Sequence, residues 1–153
     1  MVSVMVKRGG EAAGAKLALI RDAATGWYQS WYFELRLEEE VYRAARYALP
    51  LTVAVVRLGD NWFPSRPACK QVLDAAASKL RRNDLPAIIG PHELGFCLTH
   101  VTREQGELIM GRLLLLFNEF DPKLGLSSFL GMDQSAVGLL NEARLAAIGS
   151  RPE

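Results

Sequence analysis

A histidine and a glutamate lie in a short turn between two apolar runs, in the stretch from Ile88 to Phe96 with the sequence IIGPHELGF. Imidazole and carboxylate groups are common general acids and bases in enzymes. The Gly90-Pro91 pair between apolar runs predicts a hairpin turn. The residues allow three interpretations, which are a catalytic loop, the remains of one, or a turn alone.

Metal binding by this turn is not favoured by the neighbouring residues. His100 lies eight residues after His92, which is no recognised zinc spacing, and Cys97 falls in an apolar run. The chain has two cysteines, too few for a disulfide framework, and Cys97 is expected to be a small buried side chain. We therefore predict no metal site and no cofactor, and we interpret His92 as a turn residue.

Three tryptophans lie near predicted turns, at positions 27, 31 and 62. They could form a surface on which a ligand stacks. Large aromatic residues near turns are more often lids of the core or contact patches. The pattern alone leaves both interpretations open.

Composition restricts the classes of function. A chain of 153 residues, of which 50% are hydrophobic and 23% charged, suits one globular domain. The formal net charge of +1 offers no electrostatic basis for binding nucleic acid or an anionic membrane. No signal peptide or membrane-spanning stretch is evident, so we expect a cytoplasmic domain, or a soluble piece of a longer membrane-anchored protein.

Hydrophobic periodicity and capping residues predict the elements that position the turn. In chain order they are a lead-in helix at 11–22, a helix at 31–47, a buried strand at 51–58, a helix at 68–82, two strands flanking the turn, a helix capped by Thr102, a strand at 124–130, and a helix at 134–147 capped by Asp133. Helices alternate with strands except at the central hairpin. This order predicts an α/β sandwich with a mixed sheet, helices on its faces, and the hairpin turn presented at one end.

The order of elements and several local motifs resemble the GGDEF domain of bacterial diguanylate cyclases, over about residues 20–148. The stretch DAATGWYQSWYFELRL resembles the opening turn and first helix of that family, and LGLSSFL resembles its late strand. The signature itself is replaced by Gly90, Pro91, His92, Glu93 and Leu94. The resemblance implies a palm-like sandwich of the nucleotidyl-cyclase type, with a lead-in helix or linker at 1–21, a degenerate GGDEF domain at 22–148 and a tail at 149–153.

The resemblance also implies a chemistry that this chain has lost. The family joins two GTP molecules with Mg²⁺ held by carboxylates at the end of the first strand and in the signature. Here Arg57 stands at the strand end, His92 replaces the signature aspartate, and Pro91 removes a backbone N–H. Gln29-Ser30 stands where the family has Asn-Arg. Only Glu93 remains of the acidic pair, so we expect no cyclase activity.

A second family feature is retained in spacing. Many GGDEF domains bind their product, cyclic di-GMP, at an inhibitory site built on Arg-x-x-Asp, and Arg81 and Asp84 match it, with Asp84 six residues before Gly90. A guanidinium can bind phosphate or guanine O6 and N7, and a carboxylate can accept from the guanine N1 and N2 donors. The same residues also fit an ordinary helix end followed by a turn, and Arg57 to Asp60 repeats the pattern by chance.

These observations lead to three hypotheses. The first is an inactive GGDEF-like signalling domain that binds cyclic di-GMP through Arg81 and Asp84. The second is a module without a ligand that mediates dimerisation or docks onto a partner signalling domain of a larger protein. The third, which the missing ligands and Pro91 disfavour, is a remodelled pocket that holds GTP without converting it.

Overall fold

The structure, a computed structural model, describes residues 19–131 and 133–149. Its elements in chain order are β1 (Tyr28–Gln29), α1 (Ser30–Tyr47), β2 (Leu51–Arg57), α2 (Pro67–Ser78), β3 (Leu85–Gly90), β4 (Glu93–Thr99), α3 (Arg103–Leu114), a 3-10 helix (Leu115–Phe120), β5 (Lys123–Ser128) and α4 (Ala136–Gly149). The predicted order of helices and strands from residue 30 onward is confirmed, while β1 and the 3-10 helix were not predicted.

Five strands form one mixed sheet in the order β1-β3-β4-β2-β5. β2 lies between β4 and β5 and is antiparallel to both, while β1 runs parallel to β3. β3 and β4 form the predicted hairpin. The expected fold class, an α/β sandwich with a mixed sheet, is confirmed.

The two faces of the sheet bury separate apolar clusters because successive strand residues point to opposite faces. On β2, Val53 and Val55 belong to the cluster beneath α1 and α4. Ala54 and Val56 belong to the cluster that α2, α3 and the 3-10 helix cover. This alternation places helices on both faces and leaves the strand ends at the rim of the sandwich.

Gly125 of β5 allows α4 to lie directly against the sheet. A Cβ atom at this position would stand 2.0 Å from the Ala143 carbonyl oxygen and 2.3 Å from the Ala147 nitrogen. Real Cβ atoms do not approach backbone atoms so closely, so a larger residue would push the helix away. The close approach of α4 carries Arg144 to the hairpin.

Helix α2 ends earlier than its apolar periodicity predicts. The predicted helix extended to residue 82, whereas α2 ends at Ser78. The backbone N–H of Arg81 donates to the Asp84 carboxylate (2.9 Å), and the Asp84 N–H donates to the Arg81 carbonyl (3.1 Å). These local bonds form a turn in place of another helical turn, so the prediction that Arg81-Arg82 ends the helix is wrong.

The caps of the last two helices agree only partly with the prediction. Thr102 caps α3 through a complete capping box with Gln105, as predicted. For α4 the Ser135 hydroxyl accepts from the Gly138 N–H, and the helix begins at Ala136, so the prediction of a cap at Asp133 is wrong.

The structure describes the two ends of the chain only in part. Leu19 and Ile20 are helical, while residues 11–18 of the predicted lead-in helix and residues 150–153 of the predicted tail lie outside the described residues. Within the part of the chain that the structure describes, no helix combines the length and the apolar character that crossing a membrane requires.

Candidate functional site

Residues Gly90 to Leu94, which stand where the sequence predicts the signature, form the turn of the β3–β4 hairpin and the start of β4. Gly90 pairs with Glu93, and Pro91 and His92 form the tip. The Leu58 N–H donates to the His92 carbonyl (2.7 Å), and the imidazole lies edge-on to the Phe63 ring. Leu94, the fifth signature residue, is fully buried in the core. The tip is therefore held by backbone and aromatic contacts.

Two arginines hold the carboxylate of Glu93, the first residue of β4. Arg57 at the end of β2 is its cross-strand partner and places Nη1 3.3 Å from Oε2. Arg144 of α4 places Nε 3.2 Å from Oε1, and its Nη2 donates to the Ile89 carbonyl (3.2 Å). Both carboxylate oxygens thus face guanidinium groups, and α4 is tied to the hairpin.

This donor set does not suit a divalent cation. Mg²⁺ prefers several oxygen ligands, whereas the strand end offers one carboxylate between two positive charges. Like charges a few ångströms apart repel by several kcal/mol even at an effective dielectric of about 20. No group of three or more His, Cys, Asp or Glu side chains suited to a metal occurs among residues 19–131 and 133–149.

The pairing of β1 with β3 brings the opening turn beside the signature. Gln29 is the Cα partner of Ile88. A recess of about 500 Å³ lies there, with Gln29, Ser30, Gly90 and Pro91 in its wall. Residues of the opening turn and of the hairpin turn, two stretches far apart in the sequence, therefore line one recess.

Arg81 and Asp84 form a closed pair at the far end of β4. Arg81 Nη2 lies 2.6 Å from Asp84 Oδ1 and also donates to the Thr99 carbonyl (2.7 Å). The Arg81 Nε–H and backbone N–H reach the same carboxylate. Hydrogen bonding to Asp84 raises the pKa of the Arg81 guanidinium above its ordinary value.

Exposure distinguishes the two members of this pair. The Asp84 side chain is 2% exposed and that of Arg81 49%. Nη1 of Arg81 takes part in none of the hydrogen bonds found among the described residues. The group presented to solvent is therefore the guanidinium, and the carboxylate orients it from below.

Further cations lie beside the turn. A recess of about 320 Å³ has Arg36, Arg43 and Arg82 in its wall. The nearly buried Glu40 pairs with Arg43 (2.7 Å) and Arg36 (3.6 Å), and the exposed Glu39 also pairs with Arg36 (3.2 Å). Three guanidiniums against two carboxylates leave a net charge of about +1 beside the recess, which suits an anionic ligand.

Several sequence candidates lie apart from both clusters. His92 precedes β4 and His100 follows it, so the two imidazoles stand at opposite ends of one strand. Trp27 and Trp62 are buried in the core, which confirms the interpretation as core lids for these two and excludes a stacking surface shared by all three tryptophans. Cys97 is buried as predicted, and burial raises the pKa of its thiol.

Sequence reasoning missed Arg144 and Glu40. Arg144 stands in a helix whose neighbouring Ala143 and Ala147 are fully buried, and Glu40 falls among the acidic residues of α1. A charged residue within an apolar helix such as α4 was a usable signal. No such signal marked Glu40, because it follows two other glutamates, Glu38 and Glu39, that are exposed.

Comparison with known proteins yields structural neighbours alone. No protein-family model matches the sequence, and neither does any curated protein. The structure resembles the GGDEF domain of FimX from Pseudomonas aeruginosa with a TM-score of 0.74 and 19% identity, covering 86% of this chain and 93% of that one. It also resembles the coiled coil and GGDEF domain of DgcB from Caulobacter crescentus, solved in complex with c-di-GMP. This match has a TM-score of 0.80 and 12% identity, and it covers 96% of this chain and 88% of that one.

A third neighbour is a microbial GGDEF domain described in a novel interaction mode with bis-(3′,5′)-cyclic di-GMP. It has a TM-score of 0.72 and 20% identity, and the match covers 88% of this chain and 92% of that one. Identities of this size establish a shared fold. The chain therefore has the fold of GGDEF domains.

Proposed function

Starting from a GGDEF-type fold, we propose that this chain is a catalytically inactive signalling domain that binds cyclic di-GMP through the turn formed by Arg81 and Asp84. One observation carries the proposal. The Arg81 guanidinium is half exposed and held in place by a buried carboxylate at the family spacing from Gly90.

The chemistry of the turn fits one edge of the ligand. The free Nη1 edge of Arg81 can donate to a phosphate oxygen or to guanine O6 and N7. Asp84 is engaged by Arg81 in this structure, so its part in the ligand-free protein is to position the guanidinium. Direct acceptance from the guanine N1 and N2 donors would require Arg81 to release one carboxylate oxygen.

Two further observations support an anionic ligand at this end. The adjoining recess contains Arg36, Arg43 and Arg82, which raise the local positive potential. Among structural neighbours, DgcB was solved in complex with c-di-GMP. Another protein with this fold therefore binds the ligand.

The contacts at the strand end support the proposed inactivity as a cyclase. Arg57 and Arg144 occupy the carboxylate of Glu93, the one acidic residue left in the signature. A metal-dependent attack on GTP would need carboxylates in place of these cations. We expect no cyclic di-GMP after incubation of the chain with GTP and Mg²⁺ or Mn²⁺, read by chromatography.

Calorimetric titration of cyclic di-GMP into the purified chain tests the binding. We expect a dissociation constant of tens of micromolar or tighter, about −6 kcal/mol or more. Arg81→Ala should weaken binding by roughly 10- to 100-fold, because hydrogen bonds from a charged group are worth about 1.5–3 kcal/mol. Arg66→Ala, which removes another exposed arginine, is the control and should leave affinity unchanged.

Either of two results would reject the proposal. One is the absence of heat at a ligand concentration of hundreds of micromolar. The other is equal binding by the wild-type chain and Arg81→Ala. Circular dichroism of both variants checks that the fold is retained.

The second candidate function, a protein-interaction module, is favoured by exposed aromatic side chains. Trp31 is 51% exposed and Phe63 49%. If calorimetry detects no ligand while the chain associates with itself or with a partner, this function replaces the first. A monomeric chain that captures nothing in pull-down experiments counts against it.

A further inference from the structure

Helix α1 has a second apolar stripe on the side opposite the core. Trp31, Leu35 and Tyr42 are 51%, 45% and 66% exposed, and only Glu38 interrupts their spacing of alternating four and three residues. This is the seam spacing of helices that pack along one another. The inner stripe of the same helix is buried against the sheet, so the outer stripe faces away from the core.

The C-terminal half of this stripe lies in a shallow recess of about 580 Å³, whose wall is formed by Glu38, Glu39, Tyr42, Arg43, Arg46 and Tyr47. Arg46 donates to the Tyr42 hydroxyl (3.4 Å) and lies over the Tyr47 ring at 5.6 Å. Tyrosine and arginine are enriched at protein interfaces because they combine apolar area with hydrogen bonding. The composition of the recess therefore suits a protein partner.

The charges around Tyr42 are arranged so that the surface complements itself. Glu38 lies one helical turn before Tyr42 and Arg46 one turn after it. Neither takes part in an ion pair within the described residues. They stand about 12 Å apart along the axis, too far to pair with each other. An antiparallel second copy of the helix would bring opposite charges to the same height.

We propose that a second copy of this chain docks on the outer face of α1, antiparallel and centred on Tyr42. A two-fold axis there places Tyr42 against Tyr42 of the partner subunit, and Glu38 beside Arg46 of the partner subunit. The interface is isologous, and its own charges select the antiparallel orientation.

The expected dimer is weak. A single pair of helices buries less than the roughly 1,600 Å² of a standard interface, so we expect dissociation constants of about 10–500 µM. Association needs no cyclic di-GMP. Experiments in the absence of ligand therefore test it separately from the proposed function.

Sedimentation velocity of the whole chain, from about 10 µM to 1 mM, measures the monomer–dimer equilibrium. Arg46→Glu and Glu38→Arg should each weaken association at least about tenfold, because each places like charges opposite one another. The double variant exchanges the two charges and should restore association to within about threefold of wild type. Glu142→Arg, an exposed reversal on α4, is the matched control and should change nothing.

Three outcomes overturn the proposal. The first is a chain that remains monomeric throughout this range, which would leave the stripe to a different protein. The second is a dimer that both single variants form with unchanged affinity, which would place the interface on another face. The third is failure of the double variant to restore association while its circular dichroism and melting curve match those of wild type, because the two charges would then not be partners.

Discussion

An arginine–carboxylate cluster lies at each end of β4, and the two clusters differ in which charged group remains exposed. At the first residue of β4, Glu93 is held by Arg57 and Arg144 from two other elements. At the last residue, the Thr99 carbonyl accepts a hydrogen bond from Arg81. Arg81 pairs with Asp84, which lies in the same turn. Six residues of strand, about 20 Å, separate the two clusters.

The difference lies in which charge remains available. At the Glu93 end the cations neutralise the only acidic signature residue, and their bonds tie the hairpin to α4. At the Arg81 end the carboxylate is buried and the cation is left half exposed. One cluster has become a structural clamp, while the other presents an oriented guanidinium. Substitutions in each cluster should therefore differ in their effects on stability and on ligand binding.

Asp84→Asn should destabilise the fold by about 2–3 kcal/mol. The buried carboxylate accepts from the backbone N–H and the side chain of Arg81, and an amide cannot replace these charge-assisted bonds. Urea denaturation measures the change. Asp74→Asn, at an exposed pair with Lys70, is the control and should cost less than about 0.5 kcal/mol. Equal losses in both variants would show that Asp84 is no more than a surface turn residue.

Glu93→Gln should cost about 1–2 kcal/mol, less than the change at Asp84. Glu93 is 15% exposed, and its partners Arg57 and Arg144 remain partly solvated without it. Glu107→Gln, which breaks an exposed helical pair with Arg103, is the matched control and should be almost neutral. A loss at Glu93 larger than that at Asp84 would reverse the comparison and make the clamp the more important of the two clusters.

Local pattern predicted much of the scaffold that carries these clusters. The β-branched run at residues 51–56 marked the central strand, and the Gly90-Pro91 turn marked the hairpin. Thr102 with Gln105 marked the start of α3. Each signal acts within a few residues of the chain, which is why sequence alone reveals it.

What sequence did not predict depends on contacts between distant residues. Apolar periodicity predicted that α2 extends to Arg82. The helix ends earlier, and the hydrogen bond from the Arg81 N–H to Asp84 that forms the turn there leaves no periodic signal in the sequence. Arg144 reaches Glu93 from α4, a helix that Gly125 of β5 allows to lie close against the sheet. The spacing of Arg81 and Asp84 was visible, whereas the burial of Asp84 beneath Arg81 was not.

The thiol of Cys97 offers a probe near the Arg81 end of the sheet, where it pairs in register with Leu85. Burial raises the pKa of Cys97, so the folded thiol stays protonated while the unfolded thiol ionises above about pH 8.5. Its contribution to stability is therefore complete at lower pH and is lost as the pH rises. Between pH 8 and 9.5 the free energy of unfolding should fall by about 1 kcal/mol more in wild type than in Cys97→Ala. Identical pH profiles in urea denaturation would contradict this account.

The smallest expected effect separates the two ends most directly. Arg57→Gln should leave the affinity for cyclic di-GMP within about twofold of wild type, because Arg57 lies about 20 Å along β4 from the Arg81 turn and exposed charges at that distance are screened at physiological salt. Arg81→Ala, titrated under the same conditions, is the reference for a direct loss. If Arg57→Gln weakens binding tenfold and Arg81→Ala does not, the ligand binds at the degenerate signature, and the guanidiniums around Glu93 have become its phosphate-binding groups.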